Sequence, residues 1–159
     1  MFGFKKEKKS ELMAALDGTV IELTEVPDPV FAGKIVGDGC AIIPTGNKIV
    51  SPINGKIVTV MDTLHAYCIE GEDGVNILIH IGIDTVNLKG EGFKSFVKVG
   101  DTVKVGDLIA EADFELISSK GYKLHTPIII LDMDKVTDCK CACGEVKAGK
   151  SLAMTYKLN

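Results

Sequence analysis

The sequence predicts an all-β fold, a single-domain antiparallel sandwich or barrel with at most short helical turns. Apolar residues fall in short strand-like stretches, among them KIVTV (56–60), VNILIHI (75–81), TPIIIL (126–131) and LAMTYKL (152–158). Seventeen glycines punctuate these stretches at close intervals, which suits hairpins rather than long βα crossovers. Helical patterning is confined to Asp113–Ser119 and Met133–Thr137, room for one or two turns each. A length of 159 residues, 46% hydrophobic and 25% charged, fits one soluble domain with a sizeable core.

From the N-terminus, residues 1–10 (MFGFKKEKKS) read as a flexible basic tail ahead of a domain spanning 11–159. The tail lacks the apolar core of a secretory signal, and no run is long enough to span a bilayer, so a cytoplasmic chain is expected. Five cysteines without a framework-like spacing agree with a reducing compartment. The tail carries +3 of a formal net charge of −4, leaving −7 on the body. An acidic body is a poor match for nucleic acid and a good one for a partner with a basic docking face. One short basic segment supports at most weak contact with an anionic membrane surface.

Further along, SPINGKIV (51–58) and VKVGDTVKVGDLIAEAD (97–113) are similar to the strand–turn–strand units of biotinyl and lipoyl carrier domains. Lys135, in DMDKV, lies more than twenty residues beyond Leu108, too far for the modified lysine of those domains. Only the β architecture carries over. Cys139, Cys141 and Cys143 alternate, so a strand would send all three to one side; the spacing matches no common zinc motif. They read as half-buried small residues near a turn, and Cys40 and Cys68 as core fillers.

The segment 63–82 carries the chemistry. It reads as strand, turn and strand, with the turn over Glu70–Gly74. Residues opposed in an antiparallel hairpin have a constant position sum. A loop centred on Gly71–Gly74 sets that sum to 145, which opposes His65 to His80, Tyr67 to Leu78 and Thr63 to Gly82. Opposed side chains share a face with Cβ atoms about 4.5–5.5 Å apart, so two partly exposed imidazoles would converge. A bulge would shift this register by one residue.

Two chemistries fit such a pair. A catalytic zinc needs a third protein ligand, which His125 or Asp84 could supply, although no local spacing of the HExxH kind supports it. Alternatively a neutral imidazole attacks a phosphoryl group and holds it as a phosphoramidate, with the second ring donating a hydrogen bond. Thr63, two residues before His65, could then fix that ring's tautomer.

The run HAYCIEGEDGVNILIHIGIDTVNLKGEGF (65–93), with residues 26–58 and 97–109, resembles the glucose-class enzyme IIA proteins of the bacterial sugar phosphotransferase system. The resemblance implies that His80, in LIHIGIDTV, carries the phosphoryl group, that His65 assists, and that Thr63 orients His65. It implies phospho-HPr as donor and a cysteine on the IIB domain of a sugar permease as acceptor, with no cofactor and no metal. Other proteins that sense the phosphorylation state are possible partners. Val30, Phe31, Ile35, Val36, Met61 and Leu78 would form an apolar docking rim, and Asp28 and Asp84 would meet a basic partner, although any of the apolar six could equally fill the core. Met61 and Leu78 depart from the family, where aromatics are frequent. The chain reads as free-standing or as a domain excised from a larger permease.

Overall fold

The computed structural model describes residues 9–159. In chain order its strands are β1 (Lys9–Met13), β2 (Gly18–Glu22), β3 (Gly39–Pro44), β4 (Lys48–Val50), β5 (Gly55–Val60), β6 (Ala66–Gly71) and β7 (Asn76–His80). They continue with β8 (Phe93–Ser95), β9 (Thr102–Val103), β10 (Leu108–Ala112), β11 (Thr126–Ile130), β12 (Val136–Cys141), β13 (Gly144–Val146) and β14 (Leu152–Leu158). Every pairing among the described residues is antiparallel. An eight-stranded sheet runs β13-β2-β3-β11-β7-β6-β5-β9, and two three-stranded sheets run β1-β14-β12 and β4-β10-β8. This is the expected β-sandwich. β1 begins at Lys9, so the last two residues of the expected tail pair with Lys157 and Tyr156 of β14; the rest of that tail lies outside the described residues.

The large sheet is apolar on both faces at its centre. In β11, Ile128 and Ile130 enter the main core, while Ile129 enters a smaller cluster with Leu23, Val26, Phe31, Ala41 and Ile83. A strand buried on both sides explains why TPIIIL is a continuous apolar run without alternation. In β7, Ile77 and Ile79 face the main core, while Leu78 packs against the small cluster. Each fully buried isoleucine contributes roughly 1.5–3 kcal/mol. The alternation sends His80 to the small-cluster side.

The two α-helices among the described residues are short. The one anticipated at Asp113 is α2 (Phe114–Ser119), with the Asp113 carboxylate accepting from the Leu116 amide at 3.1 Å. The Met133 segment is a single 3-10 turn, Met133–Lys135. The other, α1 (Pro29–Ala32), was not anticipated, although Asp28–Pro29 is a cap followed by proline at the first helical position. It lays Phe31 over the small cluster.

All five cysteines are free thiols. Cys40 and Cys68 are buried as expected, and Cys139 and Cys141 pack half-buried on the main core. Cys143 departs from the expectation: it lies past the end of β12 and is exposed.

Candidate functional site

The hairpin turn is tighter than the sequence suggested, and the difference shifts the register. The Gly71 amide donates to the Val75 carbonyl at 2.9 Å, enclosing three residues, Glu72, Asp73 and Gly74. Gly74 has φ +84°, the left-handed residue that such three-residue loops require. An odd loop moves the position sum to 146, so His80 pairs with Ala66, Tyr67 with Ile79, and Cys68 with Leu78. The opposition of His65 to His80, of Tyr67 to Leu78 and of Thr63 to Gly82 is therefore corrected by one residue.

The shifted register alone would turn the two histidines to opposite faces, because His65 now lies across from Ile81, whose amide donates to the His65 carbonyl at 2.7 Å. They nevertheless meet. β6 starts only at Ala66, and His65 belongs to the β5–β6 connection, closed by the Met61 amide donating to the Ala66 carbonyl at 3.1 Å. Leu64 within it is left-handed, φ +59°, with its amide donating to the Met61 carbonyl at 2.8 Å. That turn releases His65 from strand alternation. The imidazoles of His65 and His80 meet edge to face, centroids 4.9 Å apart and planes at 84°.

Their surroundings differ. The Nδ1 of His80 lies 2.8 Å from the Gly82 carbonyl oxygen. A carbonyl only accepts, so Nδ1 carries the proton and Nε2 of the neutral ring holds the lone pair. The Nδ1 of His65 lies 2.6 Å from the Thr63 hydroxyl, a group able to donate or accept. Phe31 rests on the His80 ring, centroids 4.9 Å apart. His80 is half-buried. His65 is only 4% exposed, against the expectation that both rings are partly exposed; the His80 ring lies against it.

Burial lowers the pKa of both rings. For His65 the value falls to about 4, through desolvation first and the neighbouring His80 second. For His80 desolvation also wins, and the bond to Gly82 with the charges of Asp28 and Asp84 only restrains the fall. Both imidazoles are neutral at pH 7.

Of the residues expected in the docking rim, Val30, Ile35 and Met61 are exposed, at 44%, 74% and 43%. Phe31 is buried, and Val36 and Leu78 pack half-buried on the small cluster. Asp28 is engaged as the cap of α1, accepting from the Val30 amide at 2.9 Å and the Phe31 amide at 3.4 Å. Asp84 is exposed and left-handed, φ +61°. Val86, just beyond it, is a further exposed apolar residue that the sequence reading passed over. So was Gly82, whose carbonyl sets the tautomer of His80; its signal was a glycine two residues after a strand-end histidine. Among the described residues no group of three or more His, Cys, Asp or Glu side chains could hold a metal ion, and neither His125 nor Asp84 completes a triad with the pair.

Comparison with known proteins places this geometry in a family. Residues 10–136 match the family described as phosphoenolpyruvate-dependent sugar phosphotransferase system, EIIA 1. The chain is 45% identical to the PTS system glucose-specific EIIA component of Buchnera aphidicola, across 96% of this chain and 94% of that one. It is 43% identical to the protein of the same description from Haemophilus influenzae, across 99% and 96%. In three dimensions it is similar to glucose permease IIA from Mycoplasma capricolum, with TM-score 0.87 and 39% identity over 97% of this chain and 99% of that one. Matches of this extent in both sequence and fold cover the hairpin and both histidines, and the chain belongs to the EIIA 1 family of the phosphoenolpyruvate-dependent sugar phosphotransferase system.

Proposed function

We propose that the chain is a cytoplasmic phosphoryl carrier, residues 11–159 forming the carrier domain, which accepts a phosphoryl group from phospho-HPr on His80 and passes it to a cysteine of the IIB domain of a glucose-class sugar permease. The observation that carries this reading is the bond from His80 Nδ1–H to the Gly82 carbonyl, which leaves Nε2 free as a nucleophile. Nε2 attacks the phosphorus of the donor phosphohistidine. As the new N–P bond forms, the old one breaks and its electron pair returns to the donor imidazole. Onward transfer repeats the displacement, with a cysteine thiolate attacking and His80 leaving.

His65 supports the charge. A Thr63 hydroxyl donating to His65 Nδ1 places that ring's proton on Nε2, from which it can donate to a phosphoryl oxygen on His80. Val30, Ile35 and Met61, with Phe31, Val36 and Leu78 beneath or beside them, form the apolar docking face; Asp28 and Asp84 orient a basic partner. No helix among the described residues is long and apolar enough to cross a membrane. Proteins that read the phosphorylation state would use the same face.

Incubation with phosphoenolpyruvate, enzyme I and HPr should give an acid-labile adduct on the unmodified protein and none on His80→Gln. His65→Gln should still be labelled but pass the group on poorly, because an amide can donate to the phosphate yet supports the departing charge less well. Equal labelling of His80→Gln and the unmodified protein would refute the assignment.

A further inference from the structure

The carbonyl that holds His80 is itself held, and one residue does much of that work. Directly after β7 the chain reverses through Ile81, Gly82 and Ile83. The Ile81 amide is tied to the His65 carbonyl and the Ile83 amide to the Lys123 carbonyl at 3.0 Å. Between them stands Thr85, completely buried, its hydroxyl donating to the Ile81 carbonyl at 2.5 Å. Its methyl packs under Gly82: a Cβ placed on Gly82 would come within 2.6 Å of Thr85 Cγ2. Gly82 adopts φ +77°, so glycine is needed there both for the left-handed backbone and for the space that Thr85 fills. The peptide before the one whose oxygen accepts from His80 is thus fixed by the Thr85 hydroxyl, and the α-carbon that joins the two peptides is fixed by the methyl contact.

We propose that Thr85 is a positioning residue: by bonding the Ile81 carbonyl and packing on Gly82, it aims the Gly82 carbonyl at His80 Nδ1 and so keeps the lone pair of His80 on Nε2. Thr85 touches neither imidazole by any hydrogen bond in the structure and acts only through the Ile81–Gly82 backbone. A buried hydroxyl elsewhere in a β-sandwich would serve stability alone. Here the carbonyl it bonds is one peptide away from the acceptor that sets the tautomer. Without the hydroxyl, the Ile81 carbonyl is left buried and unpaired, and the Ile81–Gly82 peptide that carries it gains freedom to tilt, moving Gly82 with it. The displaced Gly82 draws its carbonyl away from Nδ1 and lets the proton move to Nε2, where it blocks attack.

The consequence for rate rests on the phosphoryl-carrier reading above; the consequence for the tautomer does not. The test therefore reads both in Thr85→Val, which keeps the shape and loses the hydroxyl, and in Thr85→Ser, which keeps the hydroxyl. In the unmodified protein the ¹⁵N shifts of the His80 ring should report a protonated Nδ1 and a bare Nε2. In Thr85→Val they should move toward a mixture of tautomers, and the initial rate of labelling by phospho-HPr should fall by roughly tenfold or more, given how steeply in-line reactions respond to small misplacements. Thr85→Ser should restore both. If Thr85→Val does not fold, Thr85→Ala read by the same two measurements takes its place. Unchanged His80 shifts in a folded variant lacking the hydroxyl would overturn the proposal. If the unmodified protein takes no label at all, the carrier reading fails, while the nitrogen shifts still decide the role of Thr85.

Discussion

Among single residues, His65 has a consequence outside transfer itself. A histidine buried to 4% exposure with a pKa near 4 is neutral in the fold and protonated in the unfolded chain at any pH between about 4 and its ordinary 6.5. In that window the unfolded state binds more protons, so stability falls as pH falls from 6.5 toward 4. The full effect of one such group is about 3 kcal/mol. Urea unfolding at pH 7 and pH 4.5 should show the loss, and His65→Gln should lose visibly less. Part of the sensitivity should survive in that variant, because burial also lowers the pKa of His80. A titration of the His65 ring with a midpoint near 6.5 would remove the basis for the prediction.

At the scale of elements, the site is made by a loop more than by a hairpin. β6 and β7 deliver His80 to the small-cluster face, but the left-handed Leu64 brings His65 to it. Leu64→Pro would fix φ near −65° and remove the amide that donates to Met61, so the turn cannot form as it stands. The expected outcome is a loss of roughly 2–4 kcal/mol, together with separation of the two rings, visible as a return of the His65 pKa toward 6.5. Retention of the low pKa in a folded Leu64→Pro protein would show that the turn is not what buries His65. The sequence reading missed this element because Leu64 has no turn signature: nothing in leucine announces a positive φ, which is set here by the closure between Met61 and Ala66. The turn at Gly74 was announced, and only its length was misjudged.

Across the whole molecule, the sheets are tied together at the far end of the same hairpin. The Tyr156 hydroxyl on β14 donates to the Asp73 carboxylate in the β6–β7 turn at 2.5 Å, and Ser10 of β1 donates to the same oxygen at 3.1 Å. Burial and the Asp73 charge raise the Tyr156 pKa well above its ordinary value, so it stays a donor at any physiological pH. Tyr156→Phe should cost roughly 1.5–3 kcal/mol, the range for a hydrogen bond to a charged group. It should leave labelling of His80 unchanged, since the histidines lie at the other end of the strands. A large drop in labelling with unfolding excluded would mean that the turn and the site are coupled along β6 and β7.

What the sequence determined by itself was whatever depends on neighbours along the chain. Alternating and continuous apolar runs specified antiparallel strands, the segment Asp113–Ser119 specified one or two helical turns, and the segment 63–82 specified two histidines on one hairpin with a hydroxyl two residues from the first. Tertiary structure decided the rest. Whether the loop holds three residues or four is a matter of small differences in turn energy, yet one residue of register turns every side chain to the other face. Which histidine is dry depends on what packs against it: His65 is buried with the His80 ring against it, and Phe31, carried by α1, rests against His80 without closing it off. The tautomer partners, Gly82 for His80 and Thr63 for His65, are two residues away along the chain. Desolvation, and with it the pKa of each ring, is set by packing in space, and residue order alone does not contain those distances.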